Sequence, residues 1–170
     1  MSQATPAAAS SGEPSVAFHT GVADPVQHAA RLVRKAVSLG SRVLVVGAAQ
    51  PLQQLDEQLW TAEPGSFLPH GRWTPEAEGS TRLRRSPVWL CSQPERLLQE
   101  GAWAPERPEV LIHLGGDVSG AHAAVDPSMA ASFAKVIELV ATDSAARSAG
   151  QQRWRAWREQ GVVPTHHAFS

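Results

Sequence analysis

Two short stretches of this chain, Val43-Leu44-Val45-Val46 and Val88-Trp89-Leu90-Cys91, are apolar at every position, and Val110-Leu111-Ile112-His113-Leu114 is nearly so. A strand with one face in water alternates polar and apolar residues, so unbroken runs of this length call for cover on both faces. That is the situation of a parallel strand layered between helices. Helical patterns lie between the runs. Asp24-Pro25 reads as an N-cap followed by proline at the first helical position, and Val26, Ala29, Ala30, Val33 and Val37 then recur at helical steps as far as Leu39. Gly40 is the expected stop. Leu52, Leu55 and Leu59 predict a second helix over Pro51–Trp60, and a short one is expected near Glu95–Gln99. Asp143 caps a final helix reaching about Gln160, ended by Gly161. Val16–His19 and Phe133–Val140 complete the strands, while 62–86, with Pro64-Gly65, Pro69, Pro75 and Gly79, reads as irregular. The expected class is α/β: a single domain over 15–165, with a mostly parallel central sheet flanked by helices. Residues 1–14, small and polar with two prolines, read as a disordered tail, and 166–170 as a C-terminal tail.

Parallel sheets commonly bind nucleotides, but the loops that hold phosphates are missing. A phosphate-binding loop needs a lysine followed by serine or threonine after a glycine-rich turn. The chain has only Lys35, before Ala36, and Lys135, before Val136. Gly47-Ala48-Ala49-Gln50-Pro51 offers one glycine where a dinucleotide loop needs three. The fold is therefore expected to be Rossmann-like without a phosphate-binding loop. Gly115-Gly116-Asp117 reads as a turn. None of the seven histidines forms an i, i+4 pair with a flanking carboxylate, and the one cysteine, Cys91, lies in a strand as a small hydrophobe. No Gly-x-Ser-x-Gly elbow occurs. Neither catalysis, a metal nor a cofactor is expected. With 15 basic and 16 acidic side chains the net charge is -1, so any polyanion contact must come from a local patch. No apolar run could span a bilayer and the first residues lack a secretory pattern, so a cytoplasmic protein is expected.

Two constellations stand out. The first is Leu55-Asp56-Glu57-Gln58-Leu59-Trp60 with Ser66-Phe67-Leu68-Pro69-His70. Trp60 and Phe67 either plug the end of the sheet or form an aromatic patch for another protein. The second is the final helix, with four arginines and no acid between Ser144 and Arg158. Arg147, Gln151, Trp154 and Arg158 share a face and Arg155 sits at its margin, whereas Trp157 is expected to pack inward. Guanidinium groups beside an indole suit a carboxylate carried on an apolar group, and equally a stacked base or a phosphate. The same pattern is also that of a solvated basic helix with inward tryptophans.

At these constellations the sequence resembles the chi subunits of the bacterial DNA polymerase III holoenzyme. The matching pieces are Leu55-Asp56-Glu57-x-Leu59-Trp60, Ser66-Phe67-x-Pro69-His70, Arg153-x-Arg155-Ala156-x-Arg158 leading to Gly161, and Arg42-Val43-Leu44. The resemblance implies a non-catalytic accessory subunit of the replicative polymerase with an α/β fold similar to nucleotide-binding motor domains. It implies pairing with the psi subunit, which tethers chi to the clamp loader. It also implies a grip on the acidic, phenylalanine-ending C-terminal tail of single-stranded DNA-binding protein. Carried onto this chain, the tail site involves Val140, Arg147, Gln151, Trp154 and Arg155, while Trp60 and Phe67 face psi or a competing partner. Gln151 stands where the family is expected to carry a basic residue, and Trp154 where it can carry tyrosine. A different function, direct binding of single-stranded nucleic acid, would draw on the same arginines and tryptophans.

Overall fold

Among the described residues, all the strands run the same way. The computed structural model describes residues 13–61, 67–77, 81–100, 107–115, 127–130 and 132–170. Among these, seven strands form one sheet: β1 (Ser15–Val22), β2 (Val43–Val46), β3 (His70–Arg72), β4 (Val88–Cys91), β5 (Val110–His113), β6 (Lys135–Ala141) and β7 (Thr165–Ala168). Their order is β3-β4-β2-β5-β6-β1-β7, every pair parallel. The helices are α1 (Pro25–Ser38), α2 (Ala49–Thr61), α3 (Thr81–Arg85), α4 (Pro94–Glu100), α5 (Pro127–Ala130) and α6 (Ser144–Glu159), with one 3-10 turn at Pro75–Ala77. The expected α/β architecture is the observed one.

The apolar runs are buried on both sides because successive side chains point to opposite faces. Val43 and Val45 of β2 join Ala29 and Val33 of α1 and Leu52, Leu55 and Leu59 of α2 in one core. Leu44 and Val46 join Leu83 of α3, Leu97 of α4 and Trp157 of α6 in the other. Local capping matches its sequence signals. Asp24 Oδ1 accepts from the Gln27 backbone N–H at 3.0 Å, and Asp143 Oδ1 from that of Ala146 at 2.8 Å. Gly40 and Gly161 take the positive φ angles of 84° and 83° that end α1 and α6.

Two expectations need correction. The stretch read as irregular contains β3, the 3-10 turn and α3. β3 is a three-residue edge strand, too short for alternation to register. Residues 166–168, expected in a C-terminal tail, belong to β7, which pairs with β1 from Ala17↔Thr165 to Thr20↔Ala168. All four residues of β7 are exposed, so no apolar pattern marks it. Residues 1–12 of the expected N-terminal tail, with Gly116 and Asp117, lie outside the described residues.

Ring contacts fasten β7 to the body. His19 of β1 lies edge-on to His167 at 5.4 Å, and Phe169 packs on both His19 and His28 at 5.1 and 4.7 Å. His19 Nδ1 and His28 Nε2 share a hydrogen bond of 2.9 Å. Burial, reinforced by His28, His167 and Lys135, pushes the His19 imidazole down to about 4. Burial and then Arg31 lower His28. Both groups bind protons less readily folded than unfolded, so the stability they report is complete above about 6.5 and drains as pH falls below it, through about 4 for His19. Acid is therefore expected to loosen β7 first. The Phe169 N–H, bonded to the Thr20 carbonyl at 2.8 Å, should lose exchange protection as pH falls from about 6.5 to about 4 while the β2 amides keep theirs. Unchanged protection at Phe169 would contradict the assignment.

Candidate functional site

The final helix divides its residues between the core and an open cavity. Ala149, Gly150, Arg153 and Trp157, at i, i+1, i+4 and i+8, turn inward. Gly150 permits this close approach: a Cβ there would meet Val140 Cγ2 of β6 at 2.8 Å. Arg153 is the unexpected member, an arginine only 7% exposed. Its partner is Glu138, on β6 between the inward-facing Val136 and Val140. Arg153 Nε donates to Glu138 Oε2 at 2.8 Å and Trp157 Nε1 to Oε1 at 3.3 Å, while His113 Nδ1 on β5 lies 3.1 Å from Oε2. Burial disfavours the charged carboxylate, but His113, Arg153 and the Trp157 N–H outweigh it and hold the group down to about 2. This cluster anchors α6 against the sheet and fixes which way its outer face points.

The outer face, with the ends of β1, β6 and β7, encloses a cavity of about 530 Å³. Val140, Arg147, Gln151, Trp154 and Arg155, the five residues the resemblance pointed to, all line it. Trp154 is half-buried rather than fully open, its indole set edge-on against Phe18 at 5.1 Å. Trp157 is 1% exposed, as expected. Arg158, expected to share the face, does not line the cavity. Sequence reading missed Phe18, Thr20, Gly21, Gly150 and His166. Their only available signal was β1 itself, whose inward stripe of Val16 and Phe18 continues to Thr20; nothing foretold β7. Chemically the cavity offers an apolar floor of Phe18, Val140 and Trp154 and a cationic rim of Arg147 and Arg155. Such a space suits a group that is apolar at one end and anionic at the other.

Trp60 and Phe67 lie far from it, beside β3 at the opposite edge of the sheet. They are 49% and 58% exposed and in contact at 5.0 Å, so they form a surface patch and do not plug the sheet. His70 supports Trp60 edge-on at 5.2 Å, and is itself held by Asp56 Oδ1 at 2.8 Å from Nε2 and by the Leu68 carbonyl at 2.8 Å from Nδ1. A shallow groove beside the patch carries Arg72 and Arg82. Ser66, quoted with this motif, lies outside the described residues. Cys91 is buried, and its thiol is pushed up to about 12 by that burial, as suits a structural residue. No described helix is long and apolar enough to cross a membrane.

Comparison with known proteins agrees with the residue-level reading. The family model described as DNA polymerase III chi subunit, HolC, matches residues 14–165. The DNA polymerase III subunit chi of Haemophilus influenzae is 27% identical over 124 residues, 72% of each chain. That of Pseudomonas aeruginosa is 29% identical over 151 residues, covering 85% of this chain and 89% of the relative. With the family model spanning nearly the whole sheet and all of α6, this chain belongs to the DNA polymerase III chi subunit family.

Proposed function

We propose that this protein is an accessory adaptor of the replicative polymerase, linking the clamp loader, through psi, to the acidic C-terminal tail of single-stranded DNA-binding protein. The observation that carries the proposal is the cavity on α6, where Arg147 and Arg155 rim an apolar floor containing Trp154. A chain end finishing in phenylalanine presents a ring to bury and a carboxylate to pair. Preceding acidic residues would be drawn to the arginines at longer range. The exposed pair Trp60 and Phe67 is the surface assigned to psi or a competing partner.

The cavity spans β6, β1 and β7 while the Trp60–Phe67 pair lies beside β3, so the two surfaces are four to six inter-strand steps apart, roughly 19–29 Å. Both partners could therefore be held at once, as an adaptor requires.

Calorimetric titration with an acidic peptide ending in phenylalanine tests the tail site. Trp154→Ala and Arg155→Ala are each expected to weaken binding about tenfold or more, given about 1.5–3 kcal/mol for a hydrogen bond to a charged group and a comparable loss of apolar contact. Unchanged affinity in both variants would overturn the assignment. The protein should bind bare single-stranded oligonucleotide poorly; tight binding to it would instead favour direct nucleic-acid recognition.

A further inference from the structure

His166 enters the cavity from outside the segment that the chi family model covers, which ends at residue 165. It comes from β7, whose pairing with β1 sets Phe18 opposite His166. Its ring is held on two sides. Thr20 Oγ1 lies 2.6 Å from Nε2, and the Trp154 indole stands edge-on at 6.5 Å. Thr20 is itself fixed, because its carbonyl accepts the Phe169 N–H at 2.8 Å. The next residue, Gly21, has a φ of +70°, and a Cβ there would collide with the Phe169 carbonyl. The chain is thus pinned on both sides of His166, at Thr165, whose Oγ1 donates to the Val16 carbonyl at 3.3 Å, and at Phe169.

With Nε2 engaged by Thr20, Nδ1 is the nitrogen left for a ligand. When the Thr20 hydroxyl donates to Nε2, the neutral ring carries its proton on Nδ1 and is a donor there; the protonated ring is a donor there as well. The cavity rim already holds Arg147 and Arg155 on α6, and no carboxylate lines it among the described residues. His166, brought by β7 rather than by α6, adds a third donor to the lining of the same cavity.

We infer that His166, oriented by Thr20, is a specificity-determining residue of the cavity: it selects a ligand that ends in a free carboxylate. The inference rests on the tail-binding reading and adds to it a residue from β7 and a preference for a true chain terminus over an internal acidic segment.

The test is a double-mutant cycle by calorimetry at constant pH, using one short aspartate-rich peptide ending in phenylalanine, with its terminal carboxylate free or amidated. The His166→Ala variant is expected to bind the free acid roughly tenfold more weakly and the amide about as well as the wild type does. Thr20→Val, which releases the ring without removing it, should lie between. A His166→Ala variant whose acid-to-amide affinity ratio matches the wild type overturns the role, whether both affinities are kept or both fall together. Failure of the wild type to bind either peptide refutes the tail-binding reading itself, a distinct result.

Discussion

Replacing Glu138 by alanine is expected to destabilise the fold by about 3–5 kcal/mol, the range for breaking a buried ion pair by removing one partner. The cost comes from what remains. Arg153 and His113 both lose their carboxylate, Trp157 loses its acceptor, and all three lie in the core. Glu138→Gln should recover little, because an amide keeps the volume but leaves the Arg153 guanidinium without a counter-charge. Chemical denaturation measures this directly, and a change below about 1 kcal/mol would show that water or another acid replaces the carboxylate. The pH dependence has a definite sign. A carboxyl whose folded value is depressed from 4.5 to about 2 contributes fully above 4.5, and the contribution drains as pH falls through that interval. The wild type should therefore lose stability in that window, and the Glu138→Ala variant should lose less of it.

Gly150→Val is expected to cost about 3 kcal/mol, at the upper end of overpacking penalties. An interior helical glycine open to solvent would gain stability on substitution, by about 1 kcal/mol for alanine. Here the sign reverses. The added Cβ meets Val140 Cγ2 at 2.8 Å and Cγ1 at 3.1 Å, and Val140 is a buried, β-branched side chain with a stiff χ1. α6 must then move outward, carrying Arg147, Trp154 and Arg155 away from Phe18 and Val140, so peptide affinity should fall along with stability. Val140→Ala in the same chain should restore part of the stability. If it restores none, the loss arises elsewhere and the close approach is not its cause.

Much of this architecture was legible in the order of residues. Runs such as Val43–Val46 announce a strand buried on both faces, and the Asp24-Pro25 and Asp143 caps place two helix starts to the residue. The inward and outward tryptophans of α6 separate by their distance from Gly150 and Arg153. Two strands escaped detection for one physical reason. β3 and β7 are short edge strands whose pairing is made by backbone hydrogen bonds, which leave no side-chain signature. The residues they bring to a site, such as His166, are invisible to any reading of periodicity. The Glu138–Arg153 pair had a signal that went unused. A glutamate in the middle of Val136-Ile137-Glu138-Leu139-Val140 can be buried only if a cation reaches it, and α6 supplies the next arginines in the chain.

The union of β1 with β7 also governs when the cavity can first close. Thr20 and His166 touch across 146 residues of chain, and the cavity takes one wall from each of their strands. Contacts between positions so remote form late, after a long loop has closed. A nascent polypeptide still lacking residue 166 can complete its first helix and its central strands, yet the cavity gains its last wall only when β7 pairs with β1, after α6 has been made.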